Sequence, residues 1–178
     1  MFESIASHPF IQHIEAHFQA ILKECSALSA EDYLDWPVRD AYAGSWRIYP
    51  LYCSDPGWSV GASIPGNRRR CPEVCRLLEP IEGLALAGFS RIEPGTHIYP
   101  HVDSTESLTL RSHLGLFVHH GAEIRAGDQR RTWEPGKCLA FLSSTVHEAV
   151  NRGPTSRTVF LVDVLAECAH LPLRTRAV

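Results

Sequence analysis

From Leu84 onward the chain is a succession of short apolar or alternating runs, each bounded by turn residues. Leu84 to Ser90 is the first, and Pro94-Gly95 turns the chain. Leu108 to Val118 alternates: Leu108, Leu110, Ser112, Leu114 and Leu116 fall on one face, Thr109, Arg111, His113, Gly115 and Phe117 on the other. Ala122 to Arg125 and Gln129 to Trp133 flank Ala126-Gly127-Asp128, the pattern of a hairpin. Further runs follow from Gly136-Lys137 through Phe141, from Val146 to Val150 and from Ser156 to Leu165. Strands this short and this closely spaced leave no room for crossover helices, which excludes a βαβ fold and predicts two packed antiparallel sheets.

Upstream the pattern is different. Ile11, Ile14, Phe18, Ile21, Leu22 and Cys25 recur at helical spacing and predict one amphipathic helix. Residues Ser29 to Gly44 read as a loop, and Trp46 to Tyr52 as a strand. The segment to Arg70, rich in Gly, Ser and Pro, reads as a further loop, and Pro72 opens a short helix that buries Val74, Leu77 and Leu78. The expectation is a single domain over residues 1–178. A helical and loop-rich flank (1–83) precedes a mainly β core (84–166), a double-stranded β-helix of the jelly-roll or cupin-like kind.

The 178 residues carry a net charge of −3, which argues against a nucleic-acid binder that works by neutralising phosphates. No apolar run approaches the roughly 20 residues of a membrane span, and no basic stretch followed by an apolar one opens the chain. The six cysteines, without a Cys-x-x-Cys, read as reduced thiols of a cytoplasmic protein. His8, His13 and His17 read as solvated residues of a helix face. Arg68-Arg69-Arg70 reads as a solvated loop or, with Arg91, as contacts for an acidic substrate.

Within the β region stands His101-Val102-Asp103, and His147 follows 46 residues after His101. Two histidines and one carboxylate form a ligand set that suits Fe(II) and leaves one face of the metal open. On spacing alone, His101 and His147 are equally compatible with ordinary barrel histidines. Arg111 and Arg157 each lie ten residues after one of the two histidines. A strand-borne guanidinium at such a site is suited to a carboxylate by its bidentate fork. Arg111 and His113 share a face and converge on one pocket.

The residues Phe89-Ser90, Pro94-Gly95-Thr96-His97, Pro100-His101, Leu110 to Leu116, Trp133 to Lys137, His147-Glu148 and Arg157 to Asp163 resemble, in order, the aspartyl/asparaginyl β-hydroxylase family. That resemblance implies an Fe(II)- and 2-oxoglutarate-dependent dioxygenase on a jelly-roll core, with molecular oxygen as co-reactant. His101 and His147 match its metal histidines. Ser90, Arg111, His113 and Arg157 match positions that hold the cosubstrate, and Tyr52 falls near an aromatic that lines the same pocket. The animal enzyme has glycine where this chain has Asp103, so Asp103 is the additional candidate ligand here. The implied reaction is hydroxylation of an unactivated carbon. The substrate class is the β-carbon of an aspartyl, asparaginyl or related amino acid that is free, peptidyl or carrier-bound. A metal-binding or sensing jelly roll without turnover is the alternative.

Overall fold

A computed structural model describes residues 1–4, 7–103 and 108–174. In chain order the regular elements are α1 (Pro9–Ala16), α2 (Phe18–Ser26), β1 (Leu34–Asp35), β2 (Tyr42–Ala43), β3 (Trp46–Cys53), α3 (Ile64–Arg70), α4 (Pro72–Leu78), β4 (Leu84–Ile92), β5 (His97–His101), β6 (Thr109–Phe117), β7 (Ala122–Ala126), β8 (Gln129–Thr132), β9 (Cys138–Leu142), β10 (His147–Asn151) and β11 (Arg157–Leu165). The strands form a large sheet in the order β1-β3-β4-β11-β6-β9 and a small one in the order β2-β5-β10-β7-β8. Neighbouring strands within both sheets pair antiparallel. This is a jelly roll.

Alternation along the strands of the large sheet sends side chains to two interiors. Leu110, Leu114, Phe160, Val162, Val164, Ala87 and Phe89 point outward and are buried with Phe10, Ile11, Ile14 and Ile21 of α1 and α2. The opposite face meets the small sheet: Ile48, Ile92, Val159 and Phe141 pack with Ile98, Ile124 and Ala149. Each fully buried Leu or Phe contributes about 1.5–3 kcal/mol from removal of apolar surface from water. The helix-side layer therefore anchors the outer face of the sheet while the inner face is free to carry polar groups.

Several expectations need correction. The first helix is two helices, broken at His17, whose φ of −104° and ψ of 18° leave the helical region. Its Nδ1 donates to the His13 carbonyl at 2.8 Å, which satisfies a carbonyl freed by the break. Residues 64–70 are helical rather than a loop. Proline stands in the first turn, where its missing N–H costs nothing, and the Asn67 amide donates to the Pro50 carbonyl at 2.9 Å. The strand β3, which precedes position 83, is paired along its length with β4. The strand β5, which includes Pro100, was not expected from the sequence. All six cysteines are free thiols. Among the described residues, no helix is long and apolar enough to cross a membrane.

Candidate active site

His147 and His101 face each other directly, as paired residues of the neighbouring strands β10 and β5. That pairing closes the long sequence gap between them. It depends on a register shift: Ala149 pairs with Ile98, so one residue of β10, Glu148, opposes two of β5, Tyr99 and Pro100. Ile98 is buried between the sheets, and uninterrupted alternation from it would turn His101 outward. The extra residue turns its side chain inward, as bulges do beside functional sites.

The imidazole rings lie 4.2 Å apart, centroid to centroid. His101 Nδ1 donates to the Tyr99 carbonyl at 2.6 Å and His147 Nδ1 to the Thr145 carbonyl at 2.9 Å. A carbonyl only accepts, so both rings donate from Nδ1 and turn Nε2 toward the site. Those Nε2 atoms face the Asp103 carboxylate, 3.7 Å from His101 and 3.4 Å from His147. The three candidate ligand atoms fall within 4.8 Å of one another. Burial outweighs the Asp103 charge and pushes the His147 pKa down to about 4, so its imidazole is neutral at neutral pH. Two imidazoles with backbone-oriented rings and one carboxylate are a donor set that suits a divalent transition metal.

Behind the triad lies the pocket formed by Trp46, Ser90, Ile98, Arg111, His113 and Arg157. Its two arginines differ sharply. Arg111 Nε and Nη2 form a fork on Asp163 at 2.9 and 2.7 Å, and Nη1 reaches the Asp103 carboxylate at 2.8 Å. Arg157 is 1% exposed and has no carboxylate partner among the described residues. Its Nη1 donates to the Ser90 carbonyl at 3.3 Å, its guanidinium stacks 4.3 Å from the Trp133 ring centroid, and its Nε finds no partner. Burial pulls its pKa down to about 9, which leaves it charged at neutral pH.

Unused hydrogen-bonding capacity gathers around that guanidinium. Neither ring nitrogen of His113 has a partner, and neither does Trp133 Nε1. Burial, with Arg157 and Arg111 nearby, holds His113 well below the usual imidazole range, so it is neutral. Ser90 Oγ accepts from Trp46 Nε1 at 3.1 Å, which leaves the serine proton for another acceptor. Trp133 reaches this position because Gly115 lets the chain cross close to β6: a Cβ on Gly115 would lie 2.3 Å from the Glu134 carbonyl oxygen. Buried donors without acceptors are costly, and so many beside one cation mark the place of an anionic ligand.

Of the residues singled out in the sequence, the structure brings His101, Asp103, His147, Ser90, Arg111, His113 and Arg157 together. Tyr52 is not among them. The register of β3 shifts between Pro50 and Tyr52, which puts Tyr52 opposite Ala87 and against the helix-side core, on the far side of the sheet. Arg70 is paired with Asp32, and Arg91 is on the outward face with Glu93 at 2.6 Å. Arg68 donates to the Leu51 carbonyl at 3.4 Å. None of these three lines the pocket. Three participants were not expected: Trp46, Trp133 and Asp163. For Asp163 a signal was available, since one carboxylate inside the apolar run Val159 to Leu165 must find a buried cation.

Residues 12–167 match the family model described as aspartyl/asparaginyl beta-hydroxylase. The chain is 31% identical over 168 residues to aspartate beta-hydroxylase domain-containing protein 2 of Rattus norvegicus, a match covering 86% of this chain and 47% of the relative. It is 36% identical over 154 residues to the ornithine lipid ester-linked acyl 2-hydroxylase of Rhizobium tropici, covering 84% of this chain and 52% of that protein. The chain therefore spans about half the length of these curated relatives. Among solved structures, a prolyl-4-hydroxylase of Pseudomonas putida superposes with a TM-score of 0.54 at 20% identity, over 85% of this chain and 86% of that one, which supports the jelly-roll assignment.

Proposed function

This chain belongs to the aspartyl/asparaginyl β-hydroxylase family, and on that premise we propose that it is a dioxygenase that uses Fe(II), 2-oxoglutarate and molecular oxygen to hydroxylate an unactivated carbon. The observation that carries the reading is the buried, carboxylate-free guanidinium of Arg157 beside the His101–Asp103–His147 group.

The charges of the site favour this pair of ligands. Arg111 and Asp163 neutralise each other by a two-bond fork. What remains is dipolar: a carboxylate, Asp103, at the histidine end and a cation, Arg157, at the other. A divalent metal and a dicarboxylate dianion bring no net charge into this buried pocket, so neither needs an outside counter-ion. Bound Fe(II) would supply the redox chemistry by which molecular oxygen, 2-oxoglutarate and a substrate C–H group become succinate, carbon dioxide and the hydroxylated product. The chain's own contribution is binding and orientation. His101 and His147 offer Nε2, and Asp103 its carboxylate. The distal cosubstrate carboxylate pairs with Arg157 and accepts the Ser90 proton left free by Trp46. His113, neutral and without partners, can donate one hydrogen bond from one nitrogen and accept one at the other. Ile98, Ala149 and Leu161 form apolar walls that exclude water from these pairings.

The acceptor carbon is best sought on an aspartyl, asparaginyl or related amino-acid substrate, free, peptidyl or carrier-bound, in keeping with the name of the family. The acyl 2-hydroxylase among the relatives adds lipid-linked acyl chains to the compounds to screen. The test is succinate release: purified protein with Fe(II), 2-oxoglutarate and oxygen should form succinate, stimulated by a true substrate and abolished in His147→Ala. Metal binding without succinate across the candidate substrates would favour the non-catalytic binding module, although such a module has no use for a buried cation awaiting an anion.

A further inference from the structure

Arg111 matches a position expected to hold the cosubstrate, yet each of its three guanidinium nitrogens already donates to a carboxylate of this chain. Nε and Nη2 bond Asp163, and Nη1 bonds Asp103. We infer that Arg111 is a positioning residue of the metal site: it presents the Asp103 carboxylate to the metal. The inference rests on the metal-centre reading given above.

The geometry argues for this in three steps. First, Asp163 and Arg111 are directly paired residues of β11 and β6, so the fork between them fixes the guanidinium to two neighbouring strands of the large sheet. Second, Asp103 has no such support. It lies beyond the end of β5, and among the described residues its backbone is tied by one hydrogen bond, from its N–H to the Ser143 carbonyl at 3.2 Å. The direction of its carboxylate is set by Arg111 Nη1 at 2.8 Å. Third, the ion pairs of Asp103 are with Arg111 and with the two candidate ligand histidines, both of which are held on carbonyls through Nδ1. Arg111 is therefore the permanently charged partner of Asp103, and a rigid fork serves that task better than a flexible ammonium. Support of this kind behind a metal ligand typically accounts for about 10–100-fold in metal affinity.

A double-mutant cycle read by Mn(II) binding tests it, with free Mn(II) measured by electron paramagnetic resonance and no cosubstrate or oxygen chemistry involved. The perturbation is Arg111→Met combined with Asp163→Leu, an apolar exchange of the buried pair that leaves no lone charge between the strands. It is made with Asp103 intact and with Asp103→Gly. With Asp103 present the exchange should weaken Mn(II) binding about tenfold or more; with Asp103→Gly it should change it less than about twofold. An equal loss in both backgrounds would mean a general structural role, and no loss in either would mean that Asp103 reaches the metal unaided; both overturn the inference. Should the exchanged protein not fold, Arg111→Lys goes through the same cycle with the same expectation. If Asp103→Gly binds Mn(II) like the parent while His101→Ala does not, Asp103 is no ligand and this inference falls while the metal centre stands. If His101→Ala also binds normally, the metal-centre reading itself falls.

Discussion

The two faces of the large sheet are made by the same strands, yet they obey different rules. Outward, β4, β6 and β11 present Ala87, Phe89, Leu110, Leu114, Phe160, Val162 and Val164 to the helices, and this layer is closed, apolar and complete. Inward, the alternate residues of the same strands include Ser90, Arg111, His113, Arg157 and Asp163, all buried. There His113 and Arg157, with Trp133 beside them, keep hydrogen-bonding groups unsatisfied. A protein that buried such groups for stability alone would pair them, because an unmet buried donor costs about 1–3 kcal/mol. The difference teaches that the outer face holds the fold and the inner face is built for something that binds to it.

Changes on the outer face should cost stability and spare binding. Phe160→Ala should lower the unfolding free energy by about 3–5 kcal/mol in denaturant titration, with 2-oxoglutarate affinity of the folded, Mn(II)-loaded protein unchanged. Changes on the inner face should do the reverse. Arg157→Met should cost on the order of 2–5 kcal/mol in 2-oxoglutarate binding by calorimetry. It should also leave thermal stability equal or higher, since it removes an uncompensated buried charge. Loss of stability without loss of affinity in Arg157→Met would erase the distinction.

Protons sharpen the comparison, because the buried histidines His113 and His147 face inward. Burial pushes the His147 pKa down to about 4, below its unfolded value near 6.5. The unfolded chain therefore takes up this proton first. The contribution of the neutral imidazole is fully present above pH 6.5 and is lost as the pH falls toward 4, about 3 kcal/mol in all. The unfolding free energy of the metal-free protein should decline through that window, and His147→Gln should flatten part of the decline; an unchanged pH profile in His147→Gln would contradict it. The smallest effect belongs to Tyr52, on the helix side of the bulge in β3. Tyr52→Phe should leave 2-oxoglutarate affinity within about twofold, whereas a pocket residue losing a hydrogen-bonding hydroxyl would forfeit about 0.5–1.5 kcal/mol.

Most strands were legible from the sequence because alternation and turn residues act locally. Leu108 to Val118 shows the division of faces outright, with Arg111 and His113 set among leucines. The metal group was legible as residue types. What the sequence hid was register. One extra residue in β5 turns His101 into the barrel, and a shift in β3 turns Tyr52 away from it. Both depend on which residue of the neighbouring strand stands opposite, and no local pattern records that. The break at His17 escaped for a related reason: apolar periodicity continues across it, from Ile14 to Phe18 and Ile21. Pairing was hidden as well. Arg111 and Arg157 occupy equivalent offsets from the two histidines, and the fork from Asp163 distinguishes them.

The most direct test of the site is spectroscopic. Purified protein should be loaded with Fe(II) and then 2-oxoglutarate without oxygen, and observed for the weak visible charge-transfer band of the chelate. The expected result is a band in the parent protein that disappears in His101→Ala and in Arg157→Met. Bound iron with no band on adding 2-oxoglutarate, or a band that persists at full strength in Arg157→Met, would contradict the assignment of the metal and the anion to the two ends of this pocket.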